Sequence, residues 1–202
     1  MTGYNLVKLE DMIAELGEDR VKTILLSFSS PNNKDVEHFL HHKAIEFAKQ
    51  RLSITYLLFA SYKKEPALIG YFTLSAKTIM VPKKVLNTTL QKRISRFGPY
   101  NSDLKRYLIS APLIAQLSKN YSDNLNDLIT GNELLKIACN KVSEAHGIIG
   151  GRVVYLECED KEQLIEFYKR NGFVEFGKRT LDLDEVDFFP SKHLIQMLKY
   201  LS

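Results

Sequence analysis

The sequence predicts an α/β fold with helices flanking a mixed sheet, and two stretches carry that expectation. Residues 108–173 run apolar strand, long helix, apolar strand, short helix, which is a crossover unit with one more helix behind it. Ile54 to Leu74 reads instead as two strands joined by the turn Lys63-Lys64-Glu65-Pro66, so the sheet also holds an antiparallel pair. At 202 residues, with 45% hydrophobic and 26% charged side chains, the chain suits a single domain over 1–202 with a sizeable core. It shows no internal repeat, low-complexity segment or dividing linker.

The elements follow in order. Tyr4 to Leu9 alternates and reads as a first strand. Glu10 to Phe28 is helical in pattern, interrupted near Gly17. Pro31-Asn32-Asn33 forms a turn and cap, after which Val36, Phe39, Leu40, Ala44, Phe47 and Ala48 trace one apolar helix face. After the hairpin, the segment at about 75–107 is expected to be a turn and one helix around Val85 to Phe97. Leu108 to Leu117 is the crossover's first strand, and Ser118 to Ile129 is a polar loop. A helix begins near Thr130, with Leu134, Leu135, Ala138, Val142 and Ala145 on its buried face. Thr130 and Glu133 stand at capping-box spacing, and Gly147, Gly150 and Gly151 are expected to break the helix. Arg152 to Cys158 is β-branched and aromatic with little polar alternation, as an interior strand would be. Asp160 is expected to cap the short helix, with Gln163 three residues on. That helix shows Leu164, Phe167 and Tyr168 on one face and stops at Asn171-Gly172. Glu175 to Leu181 and Leu194 to Leu201 should close the sheet.

Composition excludes some classes of function. No run of about 18 apolar residues exists, so no membrane span is expected. Met1-Thr2-Gly3-Tyr4 lacks the basic-then-apolar start of a signal peptide, and the two cysteines, Cys139 and Cys158, lie among apolar neighbours. Both features point to a reducing, cytoplasmic setting. No Cys/His spacing resembles a zinc site, and no metal is expected. His38, His41 and His42 share a helix face at a spacing that can hold a metal, but without a carboxylate motif they read as a solvated face. Charge is uneven. Residues 77–106 carry Lys77, Lys83, Lys84, Lys92, Arg93, Arg96, Lys105 and Arg106 against Asp103 alone, a net +7 in a chain whose total is +4. This is either a solvated helix face or an anion-binding surface, for the phosphates of a nucleotide cofactor or of RNA. Aromatic partners are sparse there (Phe97 and Tyr100), which argues against base-specific RNA readout.

Phe167-Tyr168-Lys169-Arg170-Asn171-Gly172-Phe173 resembles the F-Y-x-x-x-G-F signature of the GNAT acyltransferases, which use acetyl-CoA. Gln116-Leu117-Ser118-Lys119-Asn120, a loop, Gly131 and Leu134-Leu135 are similar to that family's cofactor strand and pyrophosphate loop. The family pattern R/Q-x-x-G-x-G/A, two residues, L-L falls on Asn126-Asp127-Leu128-Ile129-Thr130-Gly131. Gly131 is kept, whereas Asn126 stands where Arg or Gln is usual and Ile129 where Gly is usual. The loop leading to it is also slightly longer than the common pattern. The element order matches the family across nearly the whole chain.

The resemblance implies a single GNAT-like domain, with a central mixed, mostly antiparallel sheet and a splayed cofactor strand flanked by helices. It implies an N-acetyltransferase that moves an acetyl group from acetyl-CoA, its co-substrate, to an amine by direct attack. Backbone amides of Leu117, Ser118 and Lys119 would bind the pantetheine arm and the thioester oxygen. Amides of Asn126, Asp127, Leu128, Ile129, Thr130, Gly131 and Asn132 would bind the pyrophosphate, and Tyr168 would protonate the departing thiolate. Asp127, Ile129 and Glu133 cut against that loop, by charge and by β-branching. The base stays open between Glu157 and a water chain. Acyl-cysteine chemistry at Cys139 or Cys158 is disfavoured, because the family transfers directly.

Phe28-Ser29-Ser30, Phe39-Leu40, Gly70-Tyr71-Phe72 and the basic insertion at about 75–107 are similar to the GNAT toxins of toxin–antitoxin modules, which acetylate aminoacyl-tRNA. The acceptor is then a small-molecule amine, a protein amine or an aminoacyl-tRNA, the last with RNA contact through residues 77–106. The remaining alternative is a GNAT-fold binding or regulatory protein without turnover.

Overall fold

A computed structural model of the chain describes residues 3–183, 186, 188, 189 and 192–201. Its strands are β1 (Tyr4–Lys8), β2 (Ile54–Tyr62), β3 (Glu65–Pro82), β4 (Tyr100–Asn101), β5 (Arg106–Lys119), β6 (Val153–Glu159), β7 (Val174–Thr180) and β8 (His193–Tyr200). They form one mixed sheet in the order β1-β2-β3-β5-β6-β8-β7, with β4 beside β5. The pairs β1–β2, β2–β3, β4–β5, β6–β8 and β7–β8 are antiparallel, and β5–β6 is parallel. The backbone divides into two compact units, Met1–Ser75 with Ala115–Ala138, and Ala76–Ile114 with Cys139–Ser202.

In the first unit, helices α1 (Leu9–Leu16) and α2 (Glu18–Leu25) are separated by Gly17, whose φ of 78° ends one helix and opens the next. Asn33 caps α3 (Lys34–His38), its side chain accepting from the amides of Asp35 at 3.0 Å and Val36 at 3.4 Å. The expected single amphipathic helix is broken by a π-helical turn, Phe39–Lys43, before α4 (Ala44–Lys49). That turn keeps Phe39, Leu40 and Ala44 all buried. Val21, Leu25, Phe28, Leu57 and Tyr71 complete this core, where each buried Leu or Phe contributes about 1.5–3 kcal/mol.

The second unit holds the expected turn and helix between the hairpin and the crossover, but in a shorter span. β3 continues to Pro82 and β5 begins at Arg106, so both strands extend into the basic segment. Between them lie a 3-10 turn, Lys83–Val85, the helix α5 (Thr88–Ile94) and β4. The alternation explains it: Ile79, Val81, Tyr107, Ile109 and Ala111 are buried, while Thr78, Met80, Leu108 and Ser110 are exposed. With Leu86, Ile94, Val153, Tyr155, Phe176 and Leu198 they make the unit's core. Gly98 cannot be replaced there, since a Cβ would fall 1.8 Å from the Leu108 carbonyl oxygen.

Helix α6 (Gly131–Ile149) runs through Gly147 and ends at Gly150 and Gly151, with φ of 81° and 108°. Helix α7 (Glu162–Arg170) starts without the expected cap. Lys161 is at its N-cap with no side-chain bond, and Asp160 pairs with Lys178 at 2.9 Å instead. Gly172, at φ 82°, turns the chain into β7. Among the described residues no helix is long and apolar enough to cross a membrane.

Candidate active site

The β5–β6 ladder is two positions long, Leu113↔Tyr155 and Ile114↔Leu156, whereas β5 runs on to Lys119. The backbone of that free length is fixed within the first unit. Gly70 on β3 lies so close that a Cβ would come 3.0 Å from the Ser118 carbonyl oxygen. Leu117, Ser118 and Lys119 are half-buried at the strand's end. The Ser118 hydroxyl donates to the Lys119 carbonyl at 2.9 Å and lies 3.2 Å from the Ser30 hydroxyl. Gln116 donates to Asp35 at 2.9 Å. Next comes Asn120, fully buried. Its Oδ1 accepts from the amides of Ser29 and Ser122, each at 3.0 Å, and its Nδ2 donates to the Leu68 carbonyl at 2.7 Å.

The loop's extra length is taken up by a left-handed pair, Asp123 (φ 51°) and Asn124 (φ 60°), inside the 3-10 stretch Ser122–Leu128. Asp and Asn tolerate that conformation, and the Tyr62 hydroxyl donates to the Asp123 carbonyl at 3.0 Å. Leu125 and Ile129 are buried, so Ile129 is a packing residue in extended backbone, φ −148°. Asn126 donates to Asp127, which is exposed. The ammonium of Lys119 crosses the loop, donating to the Asn126 carbonyl at 3.0 Å and lying over the Tyr121 ring.

Thr130 and Glu133 form the expected capping box. The Thr130 amide donates to Glu133 Oε2 at 2.8 Å, and the Glu133 amide donates to Thr130 Oγ1 at 3.2 Å. The Thr130 amide and hydroxyl hold the Glu133 carboxyl below the usual range. The first amides of a helix have no intrahelical acceptor. Gly131 and Asn132 open α6 at its positive end, with Asn132 exposed. A helix N-terminus of this kind favours an anion. The Thr130 amide is already engaged by Glu133.

Tyr168 belongs to the second unit. It is buried on α7, with its ring 5.0 Å from Phe167 and 5.8 Å from Phe173 between centroids. Burial pushes its phenol above the ordinary value near 10, with the neighbouring Cys158 adding to it, so the proton stays on at neutral pH. Among the described residues its hydroxyl makes no hydrogen bond. Glu157 is committed elsewhere, accepting from Arg179 Nε at 2.6 Å and Gln196 at 2.8 Å, which opposes the base role considered for it. Burial pushes the Cys158 thiol up to about 12 and raises Cys139, so neither is a ready nucleophile. His41 Nε2 lies 3.0 Å from the Phe28 carbonyl, and the His38 and His42 rings, tilted by 45°, have centroids 4.6 Å apart. Among the described residues no group of three or more His, Cys, Asp or Glu side chains is arranged to hold a metal.

Two features escaped the sequence reading: the side chain of Lys119, considered there only for its amide, and Asn120. A buried Asn directly after an apolar strand was the available signal.

No protein-family model matches the sequence, and no curated protein matches it. Solved structures do. AtaT complexed with acetyl-methionyl-tRNAfMet superposes with TM-score 0.62 at 18% identity, covering 96% of this chain and 94% of that one. KacT, solved as a tyrosine-to-phenylalanine mutant, gives the same score, identity and coverage. A bacterial toxin gives TM-score 0.64 at 15% identity, covering 100% of this chain and 92% of that one. At such identities the likeness speaks for architecture, and the chain has the GNAT fold in the form shared by the toxins AtaT and KacT.

Proposed function

We propose that the protein is an acetyl-CoA-dependent N-acetyltransferase whose acceptor is the amine of an aminoacyl-tRNA. The observation that carries the first half is the pairing, in one unit, of a strand end that leaves the β5–β6 ladder with the N-terminus of α6. Support comes from AtaTR, a fold neighbour at TM-score 0.56 solved with AcCoA. The acceptor is suggested by AtaT complexed with acetyl-methionyl-tRNAfMet and by the eight exposed cations of residues 77–106. Among the described residues none of those eight forms an ion pair.

Acetyl-CoA, when bound, supplies the acetyl group as a thioester open to direct attack by an amine. On this reading the amides of Leu117, Ser118 and Lys119 bind the thioester oxygen, and such donors contribute about 2.7–4 kcal/mol each in acyl-transfer sites. The amides of Gly131 and Asn132 and the Lys119 ammonium hold the pyrophosphate. Tyr168, protonated at neutral pH, holds the proton that the leaving thiolate needs.

A second reading, binding without turnover, is favoured by one observation: Glu133 already occupies the Thr130 amide and adds negative charge at the cradle. Calorimetry with acetyl-CoA, followed by thiol release in the presence of aminoacyl-tRNA, separates the readings. Heat of binding and tRNA-dependent thiol release are expected. No heat at millimolar ligand overturns the enzyme reading.

A further inference from the structure

We propose that Asn120 is a positioning residue for acyl transfer, tying the segment Ser27–Ser30 to the amide-bearing end of β5; this rests on the acetyltransferase reading above. Asn120 is fully buried, and each polar atom of its side chain is used. The Oδ1 atom accepts from Ser29 and Ser122 while Nδ2 donates to Leu68 on β3, so one amide joins three backbone segments. Aspartate cannot donate to the Leu68 carbonyl, and glutamine is one methylene too long for the same three partners.

The neighbouring bonds run the same way. The Asn120 amide donates to the Ile69 carbonyl and the Tyr121 amide to the Ser29 carbonyl, each at 2.8 Å. The Ser122 hydroxyl donates to the Ser27 carbonyl at 2.8 Å, and the Ser30 and Ser118 hydroxyls meet at 3.2 Å. On its far side the same segment is held from α3, where Glu37 accepts from the Ser30 amide at 2.6 Å and the Ser29 hydroxyl at 3.2 Å. Ser27–Ser30 therefore stands beside Ser118, one of the residues whose amides would hold the reacting carbonyl. The β5–β6 ladder stops at Ile114, so the end of β5 takes its register from Asn120 and β3. A misplacement of about 1 Å in such a site can cost about 10²-fold in rate. The pyrophosphate donors lie further along the loop, so the loss should fall on kcat and spare acetyl-CoA affinity.

The test compares wild type with Asn120→Ala and Ser122→Ala in the intact chain, measuring acetyl-CoA affinity by calorimetry, kcat by thiol release and amide exchange by NMR. Ser122 is not in the core, so Ser122→Ala cuts one tie without disturbing the fold, and it serves if Asn120→Ala does not fold. Expected are a kcat reduced about 10²-fold in Asn120→Ala, and by several-fold in Ser122→Ala. Acetyl-CoA affinity should stay close to wild type in both, and the Ser29 amide should exchange faster. Wild-type kcat in both variants overturns the proposal, as does a parallel fall of kcat, affinity and melting temperature, the mark of a residue that only supports the fold. A wild-type protein that neither binds acetyl-CoA nor releases thiol overturns the acetyltransferase reading instead, and the catalytic role of Asn120 with it.

Discussion

A hydroxyl without a hydrogen-bond partner costs the fold little to remove, and among the described residues that of Tyr168 has none. Its ring contacts with Phe167 and Phe173 survive in Tyr168→Phe, so the melting temperature should barely move. Turnover should fall by about 10²–10⁴-fold, the usual contribution of a general acid. A thiol-release assay and a melting curve on the same sample read both quantities; wild-type turnover removes Tyr168 from the chemistry. A second residue-scale expectation concerns His146, whose buried Nδ1 has no partner among the described residues and whose ring fills the space left by Gly151. Burial, with Arg152 adding, depresses its pKa. The fold resists its protonation, while the unfolded chain takes up a proton near pH 6.5. Its contribution to stability is thus complete above about pH 6.5 and is lost as the pH falls from there through the lowered pKa of the folded state. Melting temperatures of wild type should drop between about pH 7 and pH 5 more steeply than those of His146→Leu. Parallel curves for the two proteins would exclude this role.

At the scale of elements, local signals read correctly wherever the chain itself supplied the partner. The Thr130–Glu133 box lies within one turn, so four residues suffice to see it. Asp160 failed as a cap because Lys178, distant in sequence, takes its carboxylate. The long strands β3 and β5 were shortened in the sequence reading because a connection was expected there, although Ile79-Met80-Val81 and Tyr107-Leu108-Ile109 alternate as strands do. The candidate loop was legible in place but not in detail. Nothing in Asn126 to Gly131 announces that Lys119 reaches the Asn126 carbonyl or that Ile129 is buried. The loop's charge gives a direct test. Glu133→Gln keeps an oxygen for the Thr130 amide and removes the negative charge from the mouth of α6. A helix N-terminus favours negative charge by about 0.3–1 kcal/mol, so the melting temperature should fall slightly. Acetyl-CoA should bind several-fold more tightly if its pyrophosphate lies there. Unchanged affinity by calorimetry would move the phosphate away from α6.

For the whole molecule the deciding quantity is where charge sits. Residues 77–106 hold a net +7 in a chain of +4, and Lys77, Lys83, Lys84, Lys92, Arg93, Arg96, Lys105 and Arg106 are all exposed. The fold accounts for this: β3, α5 and β5 send their apolar residues into the core of the second unit and leave the cations outside. Two of them are steadied by aromatic faces, Lys83 over Tyr100 and Arg93 over Tyr200. Solvated cations on a helix need no such density, whereas a phosphate backbone rewards it through released counterions. If aminoacyl-tRNA is the acceptor, tRNA affinity should fall steeply with salt, by about 0.7–0.9 in logarithmic slope for each phosphate contacted. Reversing Lys92, Arg93 and Arg96 to glutamate should lower that slope by about 2–3 and weaken binding to unrelated RNAs equally, since backbone contacts carry no sequence. Acetyl-CoA affinity should not change, because none of the three is among the pyrophosphate donors proposed above. Arg93→Glu also removes the packing on Tyr200, so Lys92→Glu with Arg96→Glu isolates the charge effect from a loss of stability. Filter binding at low and moderate salt decides the matter. No affinity for tRNA even at low salt would leave a small-molecule or protein amine as the acceptor, and the basic segment as a solvated surface.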